Sequence, residues 1–498
     1  MHTSDTRRDF LATGIGAAAA ALTPAFAESQ DLAGLTLKRA SELLRRKGVS
    51  PVELTQACLK RIETYNPSLR AFITVTGESA LSTAREMEAE AQRGKWRGPL
   101  HGIPIALKDN IDTAGVRTTG ASEVFKDRIP AEDAEVVRRL KNAGAILLGK
   151  LNLVEFAYGG NPTVTYFGTV HNPWALDHTP GGSSSGPGAA VAADLCFGSF
   201  GTDTAGSIRG PAANCGIVGL KPTYGRVSLR GVIPLSWTLD HIGPLCKTVE
   251  DAAILLSVVA GYDAPDPTTA DVPVPDYSHA LRMPTSRLRL GQPAGFFENV
   301  HPEVAKAMDA AVVMLRKLTA GVTSGIQTVP LPPSGNPAQV WGPEALAYHA
   351  KWFAESPEKY QPATRRQLAA SVEAKAADYA QALRQVELAR RDIHKVFSTV
   401  DLLIFPTSVT PPALIAEAPN QPGAGGGSPG AAPRNNNSPF DVFGLPAISV
   451  PCGFTAGGLP IGLQIVGAPF AESTVLALAH AYEQATEWHL RRPPGFSH

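Results

Sequence analysis

Short apolar runs alternate with capped helical stretches from Leu32 onward, and this alternation limits the fold more than any other feature of the chain. Strands buried on both faces read as near-continuous apolar runs, and the helices between them must cover the sheet. Ile103 to Lys108 is such a run and ends on a lysine. Ala145 to Gly149, Asp401 to Phe405 and Ala447 to Val450 read the same way, and Ile461 to Val466 is placed to pair with the last as a hairpin. Ser50-Pro51-Val52-Glu53 is a capping box with proline at the first helical position, and its helix is expected to run to about Tyr65. Further helices are expected over Glu132 to Asn142, from Thr248 to a stop at Gly261, over Pro302 to Leu318 and over Arg365 to Phe397. The expected fold is α/β, a single large domain with a central mixed β-sheet covered by α-helices. At 498 residues, 44% of them hydrophobic, the chain can bury such a core.

Charge excludes some functions. Lys and Arg number 45 and so do Asp and Glu, so no basic excess marks a nucleic-acid partner. The five cysteines, Cys58, Cys196, Cys215, Cys246 and Cys452, form no C-x-x-C pair and read as unpaired buried thiols. No spacing suits zinc, and no metal or organic cofactor is implied.

The first 27 residues read as a processing signal. Arg7-Arg8 with Asp9, Phe10 and Leu11 behind them, an alanine-rich run to Leu22 and the small-residue site Ala25-Phe26-Ala27 compose a twin-arginine-type export signal. The expected division is therefore 1–27 signal and 28–498 catalytic domain. The expected location is periplasmic or secreted, with no stable membrane insertion once the signal is removed.

Two Gly/Ser-rich segments stand out, although each taken alone reads more readily as a plain turn. One is Gly181-Gly182-Ser183-Ser184-Ser185-Gly186 and the other runs from Gly201 to Gly210 as GTDTAGSIRG. Glycines let backbone approach a ligand closely, and consecutive N–H groups at such a turn can face a developing oxyanion. Gly182 to Gly186 also matches G-x-S-x-G, which would make Ser184 the nucleophile of an α/β-hydrolase-like esterase. That elbow needs an apolar strand before it, whereas His171 to Pro180 reads as a loop. Asn420 to Pro439, rich in Gly, Pro and Asn, is either a surface insertion or a cover near the active site.

HGIPIALKDNID (His101 to Asp112), TPGGSSSGPGAAVAA (Thr179 to Ala193) and GTDTAGSIRGPAANCGIVGLKPT (Gly201 to Thr223) together resemble the amidase signature family, and the resemblance extends over nearly the whole chain from about residue 35. It implies a Ser–cis-Ser–Lys triad: Lys108 as base, Ser183 as relay, with Gly182–Ser183 cis, and Ser207 as nucleophile. The separations, 183 − 108 = 75 and 207 − 183 = 24, are similar to the family's. The backbone N–H groups of Thr204, Ala205, Gly206 and Ser207 would form the oxyanion hole, with Asp203 and Arg209 bracing the turn. The family pattern has glycine at the Ala205 position, so a positive φ there would strain this chain. Pro187 and Gly210 also depart from the usual residues.

The chemistry stands on its own terms. A serine hydroxyl needs a base to take its proton, and lysine serves only if burial keeps it neutral. Lys108 ends an apolar strand, where desolvation is expected. Cys215 and Asn214 are expected to pack beneath the turn, and His101, His178 and His241 to be hydrogen-bonded structural residues. The reaction implied is hydrolysis of a small-molecule amide to acid plus amine or ammonia, with a homodimer left open. The alternatives are the Ser184 esterase and an amidotransferase A-type subunit.

Overall fold

The computed structural model describes residues 31–158, 165–328, 337–417 and 435–496. The export-signal reading of 1–27 thus lies outside the described residues. From Leu32 the chain forms one unit built on a single sheet.

Eleven strands compose that sheet: β1 (Phe72–Val75), β2 (Pro104–Lys108), β3 (Ile146–Leu151), β4 (Gly198–Asp203), β5 (Val218–Lys221), β6 (His241–Cys246), β7 (Arg289–Pro293), β8 (Gly321–Ile326), β9 (Leu402–Pro406), β10 (Ala447–Phe454) and β11 (Pro460–Gly467). Their order is β1-β3-β2-β4-β6-β5-β10-β11-β9-β7-β8. The sheet is mixed. β3, β2 and β4 run parallel, as do β9, β7 and β8, and antiparallel pairs join these blocks. β2, β4, β5, β6, β9 and β11 are buried at every residue; β2 and β9 read as apolar runs for that reason, whereas β4 and β6, with their glycines and polar residues, carry no such signal.

The expected elements recur with shifts that have local causes. The capping box at Ser50 and Glu53 forms with both hydrogen bonds. Its helix, Pro51–Leu69, continues through Pro67, because a proline in the last turn removes only one backbone bond. Thr248 caps Val249–Val259 through the Asp251 N–H, and Pro302–Leu318 matches its expected bounds. Arg365 to Phe397 is not continuous. It divides into Pro362–Ser371, Ala376–Asp392 and a 3₁₀ segment Ile393–Ser398, with no glycine or proline to mark the break. The β10–β11 hairpin pairs as read. All five cysteines are buried and unpaired. Among the described residues no helix is long and apolar enough to cross a membrane.

Candidate active site

β2 and β4 are parallel neighbours, in register at Ala106 with Ser199 and Leu107 with Phe200, so Lys108 and Thr202 emerge together at their carboxyl ends. Open α/β sheets place their ligands at that edge. Lys108 is 0% exposed. Its Nζ lies 2.7 Å from Ser183 Oγ, 2.8 Å from Thr202 Oγ1 and 3.4 Å from the Thr202 carbonyl oxygen. Asn110 Nδ2 donates to the same Thr202 hydroxyl at 3.2 Å. Burial pushes the Lys108 ammonium down to about 7, and the charges of Asp203 and Asp240 oppose that drop. An amine poised near neutrality can both take and return a proton.

Ser183 follows a cis peptide from Gly182 and precedes the helix Ser185–Ala192. Its carbonyl accepts the Val154 N–H at 3.1 Å. The next N–H, of Ser184, donates to the Ser207 carbonyl at 3.2 Å, which lays this segment against the turn that carries Ser207. The two segments approach this closely because Gly201 lacks a side chain: a Cβ there would meet Ser184 Oγ at 2.7 Å. Ser184 is fully buried and its hydroxyl donates inward to the Thr202 carbonyl. No strand runs directly into it over the described residues 165–183, so the elbow reading of Ser184 is withdrawn.

The turn after β4 wraps around the Asp203 carboxylate. Oδ1 accepts the N–H of Gly206 and of Ser207, and Oδ2 accepts those of Ile208 and Arg209. Burial alone would raise this carboxyl, but Arg209, through its charge and hydrogen bonds, holds it well below the usual range. The buried Arg209 guanidinium also reaches Asp441 Oδ2 at 2.5 Å and Gln464 Oε1 at 2.7 Å. Asp203 and Arg209 therefore brace the turn together with two residues that sequence reasoning missed.

Two of the four N–H groups expected at the oxyanion hole bond within the turn. The N–H groups of Gly206 and Ser207 are turned onto Asp203, because a buried carboxylate is the strongest acceptor within their reach. Those of Thr204 and Ala205 have no acceptor among the described residues. The strain expected at Ala205 does not arise. The positive φ falls on Gly206, at 112°. A Cβ on Gly206 would meet Asn437 Cβ at 2.5 Å. Gly206→Ala is therefore expected to cost about 1–3 kcal/mol of stability. It should also slow fluorophosphonate labelling of Ser207 by on the order of 10²-fold through misplacement of the turn. Thermal unfolding and labelling rates check both; an unchanged labelling rate would contradict the tight packing of Gly206 on Asn437.

The end of the Gly/Pro/Asn-rich stretch packs onto this turn. Asn435 Nδ2 donates to the Ala205 carbonyl at 3.0 Å, and Asn437 Nδ2 to that of Thr407 at 3.0 Å. Residues 420–434 of the stretch lie outside the described residues. The three histidines sit in structural roles. His101 Nε2 faces the Met87 carbonyl, His178 Nδ1 pairs with Asp177, and His241 Nδ1 faces the Leu239 carbonyl at 2.8 Å. Burial keeps His241 neutral, and no ring nitrogen of the three bonds a serine. Cys215 packs under the segment with its thiol toward the Pro180 carbonyl, and the Asn214 carbonyl accepts from Asn172. Among the described residues no group of three or more His, Cys, Asp or Glu side chains is placed to hold a metal ion.

A buried amine and serine at the strand ends of a mixed α/β sheet lie beside a serine-bearing turn braced by a carboxylate, and similarity to known proteins gives the class as an enzyme of an amide-cleaving family. The Amidase family pattern matches residues 53–476. The A-type subunit of glutamyl-tRNA(Gln) amidotransferase from Moorella thermoacetica is 42% identical over 485 residues, covering 92% of this chain and 98% of its own. Among solved structures, the native peptide amidase from Stenotrophomonas maltophilia superimposes with a TM-score of 0.80 at 32% identity, over 93% of this chain and 99% of that one. The A-type subunit of the Thermotoga maritima glutamyl-tRNA(Gln) amidotransferase does so with a TM-score of 0.76 at 31% identity, over 94% and 99%. The chain belongs to the amidase signature family.

These relatives overturn the periplasmic or secreted location expected from the N-terminus. The two amidotransferase subunits among them are named for a charged tRNA, a substrate that an exported enzyme would not meet.

Proposed function

We propose that this chain cleaves a carboxamide through an acyl-enzyme on Ser207, as an ammonia-releasing subunit of amidotransferase type. The observation that carries the chemistry is the Lys108 Nζ to Ser183 Oγ separation of 2.7 Å in a fully buried setting. Neutral Lys108 takes the Ser183 proton while Ser183 takes that of Ser207. Ser207 Oγ then attacks the carbonyl carbon, and the N–H groups of Thr204 and Ala205 receive the oxyanion. The Lys108 proton returns through Ser183 to the leaving nitrogen, the C–N bond breaks, and water later releases the acid. One domain, with proposed bounds 28–498, carries these steps.

The subunit reading is preferred to a free-standing hydrolase because relatives bearing that name are 40–42% identical over 92–93% of the chain, against 32% for the peptide amidase. In that reading other subunits and a charged tRNA are partners of the assembly, while the zero net charge of this chain leaves tRNA contact to its neighbours. The likeness to a peptide amidase supports the free hydrolase as a second reading. Ammonia release from glutamine and from peptide amides separates them, measured with and without amidotransferase partner subunits and glutamyl-tRNA(Gln). The subunit reading expects glutamine-dependent amidation of the tRNA by the reconstituted complex. Turnover of peptide amides by the isolated chain, with no amidation in the complex, overturns it.

A further inference from the structure

The geometry points to Asp240 as a positioning residue of this site: its carboxylate holds Thr204, which carries one of the two N–H groups open to a substrate oxygen, and places a negative charge within reach of Lys108. The inference rests on the reading of Ser207 as nucleophile and Lys108 as base, and adds a residue to it.

The ladder between β4 and β6 brings the pair together. Asp203 is registered opposite His241, so the next residue on one strand, Thr204, meets the preceding residue on the other, Asp240. Asp240 Oδ1 accepts the Thr204 hydroxyl at 2.5 Å. Oδ2 accepts the N–H of Leu235 at 2.9 Å and of Ser236 at 3.1 Å. A carboxylate that only closed the 235–240 turn would spend both oxygens on it. Here one oxygen closes the turn and the other crosses to the residue three before Ser207. Asp240 is 4% exposed and Thr204 2%, so neither exchanges this bond freely with water.

The charged and titratable surroundings of Asp240 come from several elements. Glu344, on the helix Ala338–Glu355, bonds the Ser236 and Thr238 hydroxyls and the Tyr379 phenol. Lys108 at the end of β2, Asp203 at the end of β4 and His241 at the start of β6 lie on the sheet side. Tyr224, with the Arg390 guanidinium 4.3 Å from its ring centroid, feels the Asp240 charge. On the outer side a cavity of about 390 Å³ reaches Asp240, lined also by Arg230, Trp237, Asp266 and Tyr348. Burial pushes the Asp240 carboxyl up to about 6, and its hydrogen bonds with Thr204, Ser236 and Leu235 restrain the rise. The group is thus ionised where Lys108 is neutral.

The sign of the electrostatic effect is fixed. The Asp240 charge favours the protonated form of Lys108. Removing it lets Lys108 lose its proton at lower pH, so the acid limb of activity moves to lower pH. Asparagine at 240 also turns an amide N–H₂ toward either the Leu235 and Ser236 N–H groups or the Thr204 hydroxyl, and the carboxylate grip on Thr204 is lost.

The test measures kcat and KM for an amide, and the labelling rate of Ser207 by a fluorophosphonate, across pH in wild type, Asp240→Asn, Thr204→Val, Thr204→Ser and the double variant of Asp240→Asn with Thr204→Val. Asp240→Asn is expected to lower kcat on the order of ten- to hundredfold, with KM little changed, and to move the acid limb down. Thr204→Val should lower the rate with the limb unmoved, Thr204→Ser should restore it, and the double variant should be no slower than the slower single one. An acid limb that stays in place in Asp240→Asn, or a loss wholly in KM, overturns the proposal. If Asp240→Asn does not fold, Thr204→Val at the wild-type rate overturns it, and a slow Thr204→Val rescued by Thr204→Ser upholds it. A wild-type protein that is not labelled at Ser207 removes instead the nucleophile reading underneath.

Discussion

Ser207→Ala is expected to lower amide turnover by on the order of 10⁶-fold and to abolish fluorophosphonate labelling, while leaving the fold intact. The hydroxyl is half-buried and its N–H is fixed to Asp203 at 2.9 Å, so the alanine side chain fits the same turn without moving it. No other hydroxyl substitutes. Ser184 is buried with its proton directed to the Thr202 carbonyl, and Ser185 lies fully buried in the first turn of its helix. Ser183 carries the bond to Lys108 but precedes its helix rather than sitting in the braced turn. Peptide mapping of the labelled wild-type protein gives the direct readout. Label on Ser183 or Ser184, or turnover retained by Ser207→Ala, would mean that the braced turn supports another nucleophile.

The parts of this site that the sequence revealed are those packed into short segments. Lys108 was legible because an apolar strand that ends on a lysine leaves that side chain little water. Ser183 and Ser207 were legible because glycines cluster around them, and a Cβ on Gly186, Gly201 or Gly206 would meet its neighbours at 2.7 Å or closer. The bracing beneath was not. Asp441 and Gln464 meet Arg209 from 232 and 255 residues away, and no local pattern reports so distant a contact. Asp441 lies just past a low-complexity stretch, whose composition suggested solvent rather than a buried ion pair. The bonding of the expected oxyanion donors was hidden for a related reason. Four consecutive N–H groups look equivalent along a chain, and only the folded position of Asp203 shows that two of them are already taken. Helix bounds failed where local signals misled or were absent, as at Pro67, which the last turn tolerates, and in the unmarked break after Ser371.

Lys108→Ala should damage amide cleavage more than cleavage of a matched activated ester, and should remove the acid limb of the rate profile. The buried amine sits near neutrality, at about 7, because desolvation penalises its charged form. Only the neutral amine accepts a proton, so the wild-type rate rises by about tenfold per pH unit up to roughly that value and levels above it. The same group then returns its proton to the departing nitrogen. Amine expulsion requires that proton, whereas an activated alkoxide leaves without it. Loss of Lys108 therefore removes base and acid for the amide but chiefly the base for the ester. Each general acid–base contribution is worth roughly 10²–10⁴-fold, which sets the expected difference between the two substrates. Truncation also leaves the Ser183 and Thr202 hydroxyls without the amine at 2.7 and 2.8 Å, so Lys108→Met, which fills the volume without a proton to give, serves as the packing control. The measurement is kcat/KM for an anilide and its ester analogue across pH in wild type and both variants. Equal losses on the two substrates, with an acid limb that persists in the variants, would assign the base to another residue; the neutral His241, buried beside Asp203, would be the first to replace.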